Sequence, residues 1–234
     1  MSISLHPVTL SLLLAAAMAV PSMEGKAETV YSTDFESFAV GQTFTDKDVA
    51  GWTGNHDAPG TIVQISGAAH HSGKQALHQV DMDDKNMPVA TYNLGKTLSS
   101  GEVSVAVLSS STVRIEGLDN AGQKNFSIVH EYYATAGASV WQVREGDKVV
   151  KFVPDTESGF DPKGWNVVSF VFDEGKKSFS LKINGRTAMT VAAGEADSIH
   201  WSLAQLAIKT GWWSGAGEQL DAYYDDLSIS TPTP

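Results

Sequence analysis

The chain has 234 residues, of which 42% are hydrophobic and six are Trp, enough for one large folded domain. Charged residues make up 18% and the formal net charge is −11, which excludes a disordered polyelectrolyte and argues against nucleic acid or anionic lipid as a partner. The same acidity disfavours, without excluding, an anionic polysaccharide, and the lack of Cys excludes disulfides and thiolate metal sites.

The N-terminus has the features of an export signal. Val8 to Val20 is an apolar run that is too short to span a membrane, and small residues permit cleavage after Ala19 or after Ala27. No second run of this kind follows. The sequence therefore predicts a signal peptide over residues 1–27 and a secreted chain, extracellular or periplasmic, without a membrane span.

Strand patterns fill the rest of the chain, and no segment shows a sustained helical period. Turn residues separate the strands, among them Asn184-Gly185, which is typical of a type I′ hairpin. The predicted strands cover residues 29–38, 61–66, 75–81, 89–94, 102–108, 112–118, 125–132, 138–144, 148–153, 165–173, 178–184, 186–191, 205–210 and 220–230. They predict an all-β fold, a two-sheet antiparallel jelly-roll sandwich over residues 28–230 with a linker-like tail at 231–234.

The first and last predicted strands carry acidic residues, which are unusual inside a strand pattern. Asp34 and Glu36 lie in the first, and Asp225 and Asp226 lie in the last. If the two strands pair, these carboxylates converge where the sandwich closes. They are then either ligands of a bound cation or solvated edge charges that discourage strand-to-strand aggregation.

Five short motifs lie in order along the chain. A Trp opens an apolar strand at 164–173, and the strand at 182–186 contains Asn-Gly; the others are at 34–41, 71–77 and 224–229. Together they resemble the concanavalin A-like and laminin-G-like jelly-roll domains of secreted bacterial proteins. The resemblance implies this fold but not one activity, because the fold supports lectins, carbohydrate-binding modules, adhesive domains, glucanases and lyases.

The resemblance also implies a structural Ca²⁺ where the first and last strands meet. Calcium prefers several oxygen ligands from carboxylates and backbone carbonyls. The predicted ligands are Asp34, Glu36, Asp225 and Asp226, completed by carbonyl groups of the turn at 72–74.

Aromatic residues are the candidates for contact with a sugar ring. Trp212 and Trp213 are adjacent on a Gly-flanked segment, so they point to opposite faces and at most one belongs to the core. Trp52 is a second candidate platform, beside polar residues at 55–57, and Tyr132 is a third. The alternative is that these side chains pack in the core, which we favour for Trp165 and Trp201.

A further pattern resembles the jelly-roll alginate lyases. Arg114, His130 and Lys209 fall in the order of the motifs that hold the uronate carboxylate and move protons in those enzymes. Ala207 and Trp213 stand where those enzymes have Tyr, so the pattern is incomplete. The alternative is that Arg114 and Glu116 form an exposed pair on one strand face.

The sequence thus predicts a secreted, non-catalytic domain that binds a glycan or another surface polymer. Two alternatives remain open. One is a polysaccharide lyase or glycoside hydrolase of jelly-roll fold, and the other is a structural or adhesive surface protein.

Overall fold

The computed structural model describes residues 27–83, 85–109, 111–133, 138–211 and 220–231. Over these residues the chain forms two antiparallel β-sheets packed face to face, which confirms the predicted all-β jelly-roll sandwich. The elements are β1 (Glu28–Thr33), β2 (Trp52–Gly54), β3 (Thr61–Ser66), β4 (Ala76–Asp81), β5 (Val89–Leu98), β6 (Ser100–Ser109), β7 (Val113–Leu118), β8 (Lys124–Tyr133), β9 (Ala138–Glu145), β10 (Lys148–Pro154), α1 (Asp155–Ser158), β11 (Asn166–Asp173), β12 (Ser178–Ile183), β13 (Arg186–Val191), β14 (Leu203–Thr210) and β15 (Leu220–Thr231).

The chain crosses between two sheets, while the runs β3-β4, β7-β8-β9-β10 and β11-β12-β13 each stay within one sheet. Sheet A has the order β13-β12-β11-β6-β15-β4-β3, and β1 also pairs with β15. Sheet B has the order β10-β9-β8-β7-β14-β5-β2. Since β14 pairs with β7 and β5, residues distant in sequence become neighbours on one face of sheet B.

The two ends of the described chain lie side by side, as the sequence predicts. β1 runs antiparallel to the second half of β15, with Thr29 opposite Ser230 and Thr33 opposite Leu227. β4 pairs with the first half of β15, from Leu220 to Tyr224. The last strand, β15, therefore pairs with both the first strand and the β3-β4 hairpin.

Alternating burial along the strands builds the core between the sheets. On β11, for example, Val168, Phe170 and Phe172 are buried, and the residues between them face outward. Trp201 stacks on Phe179 in the same core, with ring centroids 4.9 Å apart. This burial is the main source of stability for the fold.

The predicted Asn-Gly hairpin is present between β12 and β13. Asn184 and Gly185 have φ angles of 52° and 77°, both in the left-handed region that a type I′ turn requires. The Asn184 side chain adds support, because its Oδ1 accepts a hydrogen bond from Val167 N at 2.9 Å.

Some predictions fall outside the described residues. The signal peptide lies almost entirely within residues 1–26, and the tail lies mostly within 232–234. Among the residues that are described, no helix is long and apolar enough to cross a bilayer.

Candidate functional site

The outer face of sheet B carries charged and polar side chains that the strand period brings together. On β7, Val113 and Ile115 point into the core, whereas Arg114 and Glu116 point to the outer face. Residues directly opposite each other on paired strands share a face, so the ladder registers extend these two positions into two rows across the sheet.

The first row, here the Arg114 row, crosses six strands. It comprises Phe152 on β10, Gln142 on β9, Val129 on β8, Arg114 on β7, Lys209 on β14 and Val89 on β5. The second row, the Glu116 row, comprises Val149, Arg144, Ser127, Glu116, Ala207 and Thr91 on the same strands.

A groove opens where the two rows cross β7, β14 and β5. Its volume is about 290 Å³, and its charged residues are Glu116, Lys124 and Lys209. Lys209 Nζ lies 2.5 Å from Glu116 Oε2, and Lys124 Nζ lies 3.8 Å from Glu116 Oε1. The other lining residues are Val89, Thr91, Leu118, Gly122 and Ala207. We call this site the lysine groove.

The middle of both rows is buried. Arg114 is 6% exposed and Ser127 is fully buried, with its Oγ lacking a hydrogen-bond partner among the described residues. Burial lowers the pKa of Arg114 to about 10, because the charged guanidinium has lost solvent. Gln142 donates to Glu131 at 3.0 Å and accepts from Arg144 Nε at 2.7 Å, so this region is a bonded polar layer.

At the other end of the Arg114 row, the edge strand β10 presents apolar side chains. Phe152 is 63% exposed and Val149 is 40% exposed. Phe152 is the most exposed aromatic side chain of the described residues. Four strand spacings separate β10 from β14, so about 19 Å lie between the strand positions of Phe152 and Lys209.

The structure separates the three residues of the lyase pattern. Arg114 and Lys209 are directly opposite each other on β7 and β14. His130 is opposite Val113 on the core side of sheet B, where it is 2% exposed and its Nε2 lies 2.9 Å from Asp155 Oδ2. The prediction that His130 acts with the other two is therefore wrong, because its position on β8 has the opposite parity.

The predicted exposed pair of Arg114 and Glu116 is only half right. The two residues share the outer face, but Glu116 is 2% exposed and Arg114 is almost as deeply buried. Neighbouring long side chains on this crowded face cover them, as Lys209 does for the Glu116 carboxylate.

Among the aromatic candidates, the structure contradicts the prediction that Trp52 is a platform for a sugar ring. Its side chain is fully buried, its Nε1 donates to Tyr31 Oη at 2.8 Å, and its ring lies 5.7 Å from Phe35. A ring with no exposed surface offers no platform for a sugar. Trp212 and Trp213 lie outside the described residues, as does the side chain of Tyr132, so their roles stay predictions.

Three of the four predicted calcium ligands, Glu36, Asp225 and Asp226, contact the loop at 71–75. Asp225 Oδ2 accepts hydrogen bonds from His71 N at 2.8 Å and from Ser72 N at 2.9 Å. Asp226 contacts His71 Nδ1 at 2.5 Å and accepts from Ser72 Oγ at 2.6 Å. The last strand is thus fastened to this loop by protein donors; we call this arrangement the carboxylate latch.

Glu36 belongs to the same latch, whereas Asp34 does not. Glu36 Oε1 accepts hydrogen bonds from Lys74 N at 2.6 Å and from Gln75 N at 3.0 Å. Asp34 instead lines a groove of about 330 Å³ with Asp226. The turn at 72–74 therefore offers amide donors to the carboxylates, where the calcium prediction expects carbonyl oxygens.

This donor set needs no cation to satisfy the carboxylates. Among the described residues, no group of three or more His, Asp or Glu is placed to hold a metal ion. Calcium at the latch stays a prediction, which melting in the presence of a chelator tests.

Sequence reasoning missed two residues of the sheet B face. Phe152 lies in a predicted strand and Lys124 directly precedes one, but only the strand order places them on the same face as Arg114 and Lys209. A bulge near Val150 also breaks the alternation of β10 and hides the outward direction of Phe152. Glu116 was predictable, because the Arg-Ile-Glu spacing places Arg114 and Glu116 on one face of the strand.

No family model matches the chain. A search of curated proteins finds no match either. Solved structures do match, and they include carbohydrate-active proteins of sandwich fold.

Three of these solved structures show the range of the likeness. A protein named sialidase has a TM-score of 0.62 and 10% identity over 87% of this chain, and the match covers only 19% of that protein. The cellulose-induced protein Cip1 has a TM-score of 0.60 and 18% identity, covering 85% of this chain and 96% of that one. The alginate lyase Aly36B, solved with an alginate trisaccharide, has a TM-score of 0.50 and 13% identity, covering 86% and 97%. At these identities the likeness shows the fold alone.

Proposed function

We propose that this chain is an exported, non-catalytic carbohydrate-binding domain that holds a polysaccharide across the outer face of sheet B. The observation that carries the proposal is the exposure of Phe152 on the same face as the lysine groove. An aromatic ring and a polar groove on one face match the mixture of apolar and polar surfaces that sugars present.

The spacing of the two features favours an extended polymer over a small ligand. Phe152 and Lys209, which lines the lysine groove, are on strands about 19 Å apart, and the row between them is buried. A chain of sugars that lies across the strands reaches both, whereas one monosaccharide reaches only one. The bonded layer around Arg114 then keeps the two contact points at a fixed distance.

Binding is favoured over the lyase alternative because the candidate proton-transfer residue is on the wrong side of the sheet. His130 is packed against Trp141 and Phe160 inside the sandwich, with ring centroids 4.9 and 4.4 Å away. Lys209 Nζ lies 2.5 Å from Glu116 Oε2 on the outer face of sheet B, on the opposite side of the sheet from His130.

The test is glycan retention by variants of the full chain. Substituting Phe152→Ala removes the stacking surface, and a contact worth about 1 kcal/mol predicts a loss of about fivefold in affinity. Phe152→Trp keeps a ring and is expected to retain binding. Val40→Ala is the matched control, because Val40 is a 65% exposed apolar residue outside sheet B.

Two outcomes would contradict the proposal. One is binding by Phe152→Ala that equals binding by the unsubstituted chain across a glycan panel; the other is failure of the chain to retain any glycan, which would favour the structural or adhesive alternative. A rise in ultraviolet absorbance from unsaturated uronates, measured on the same panel, would instead favour a lyase.

A further inference from the structure

We infer that the lysine groove binds an anionic group on a sugar ring, so that the polysaccharide held by sheet B is an acidic one. This inference rests on the proposed function and names the substrate class for it. The acidic net charge of the chain argues against this class, and the distribution of charge within the structure argues for it.

The charges of the lysine groove do not cancel. Its charged lining residues are Lys124, Lys209 and Glu116, two cations against one anion. In a chain with a net charge of −11, a groove with a surplus positive charge is a local exception. Attraction at contact distance outweighs the repulsion of distant charges, since at physiological salt charges are screened beyond about 8 Å.

The lysine groove also contains ammonium N–H donors that do not bond to Glu116. An ammonium group has three donors, and Lys209 directs one of them to Glu116 Oε2 at 2.5 Å. Lys124 Nζ is 3.8 Å from Glu116 Oε1, which is beyond hydrogen-bond distance. Both ammonium groups can therefore donate to an acceptor in the groove, and both remain accessible, with side chains 25% and 28% exposed.

Glu116 sets the position and the net charge of the site. It is buried at the base of the groove, so its carboxylate keeps the two lysines near each other and neutralises one of them. The surplus of one positive charge matches a monoanion, which on a polysaccharide is the carboxylate of a uronate or a sulfate ester. Both share the same recognition chemistry, and different polymers distinguish them.

The experiment compares matched polymers and matched lysine variants. The polymers are alginate, the same alginate with its carboxylates reduced to alcohols, dextran sulfate and dextran. Lys124→Gln removes one cation and leaves the short Lys209–Glu116 pair intact, and the loss of a charge-assisted contact predicts about tenfold weaker binding to the acidic polymer. Lys182→Gln is the control, because Lys182 is a strand lysine on the outer face of sheet A.

We expect the chain to retain at least one acidic polymer better than its neutral counterpart, with Lys124→Gln weakened and Lys182→Gln unchanged. Lys209→Gln is a second variant, read together with its melting temperature because it leaves the Glu116 carboxylate without its close partner. Equal retention of acidic and neutral polymers, or an unaffected Lys124→Gln, would overturn the inference and leave the proposed function standing. Absence of retention of every polymer would overturn both.

Discussion

A single step along a strand decides whether a side chain of this sandwich reaches the outer face of its sheet or the core. His130 and Val129 are neighbours on β8, yet His130 is opposite Val113 in the core and Val129 is opposite Arg114 on the outer face. A motif read along the sequence cannot tell which parity is outward. The lyase pattern failed at this point, because its three residues are correctly ordered but divided between two faces.

Asp81 shows how burial at one residue makes stability depend on pH. It ends β4, is 2% exposed, and packs so closely against the backbone of Gly211 that a Cβ there would lie 1.9 Å from Asp81 Oδ2. Burial raises the pKa of Asp81 to about 6. The folded state therefore binds the Asp81 proton more tightly than the unfolded state does, and this contribution to stability is lost as the pH rises through about 6.

We predict that Asp81→Asn stabilises the chain at pH 7 relative to the unsubstituted chain, and that this advantage disappears near pH 4. Each unit of pKa difference is worth about 1.4 kcal/mol, so the change across this range is at most about 3 kcal/mol. Urea unfolding at pH 4, 5, 6 and 7 measures it. Asp173→Asn is the control of opposite sign, because hydrogen bonds from Lys176 lower the pKa of Asp173. An Asp81→Asn advantage that does not vary with pH would contradict the prediction.

Residue-level features of this kind are the least predictable from sequence. Asp81 is visible as an acidic residue at the end of a predicted strand, but its burial depends on Gly211, which is 130 positions away in the chain. Trp52 failed as a binding candidate for the same reason, since the rings that cover it come from other elements, such as Tyr31 and Phe44.

Among the elements, β15 has the largest role because it joins β1, β4 and β6. The carboxylate latch fastens this strand to the loop at 71–75. Asp225 is fully buried, its Oδ1 also accepts from Asp226 N at 2.8 Å, and burial raises its pKa. The sequence indicated that acidic strand residues meet this loop, because the strand ends are fixed by the fold. It expected loop carbonyl oxygens as calcium ligands, whereas in the structure the loop N–H groups donate to the carboxylates.

We predict that Asp225→Ala lowers the free energy of unfolding by about 3 kcal/mol or more, since it leaves three N–H groups without their acceptor. Asp34→Ala is the control and is expected to change stability little, because its carboxylate is exposed and accepts only a local hydrogen bond from Glu36 N. Urea unfolding of both variants checks this. The latch alone also predicts that a chelator leaves the melting temperature unchanged.

A calcium ion held by all four acidic residues predicts the opposite pattern. Asp34→Ala would then destabilise the chain as Asp225→Ala does, and the chelator would lower the melting temperature of the unsubstituted chain. Either result would establish the ion as part of the latch.

For the molecule as a whole, the architecture was predictable and the composition of the outer face of sheet B was not. Alternating apolar and polar residues, turn residues and acidic strand ends are local features of the sequence. Each of them corresponds to a feature of the two-sheet sandwich. The face of sheet B depends instead on the order β9-β8-β7-β14, which places Lys209 beside residues about 90 positions earlier in the chain. The net charge of −11 likewise does not reveal where the cations lie.

This separation of local and overall charge leads to a prediction about kinetics. An acidic polysaccharide that approaches the chain meets its negative field before it reaches the lysine groove. The screening length shrinks from about 30 Å at 10 mM salt to about 8 Å at 150 mM, so added salt weakens the long-range repulsion more than the contact in the groove. We therefore expect the association rate with an acidic polymer to rise over this range of NaCl, whereas proteins with a basic binding surface associate more slowly as salt increases. Stopped-flow or surface-based kinetics with alginate, and with its carboxyl-reduced form as a salt-insensitive reference, measure this. An association rate that falls with salt would show that the net charge of the chain does not govern the approach.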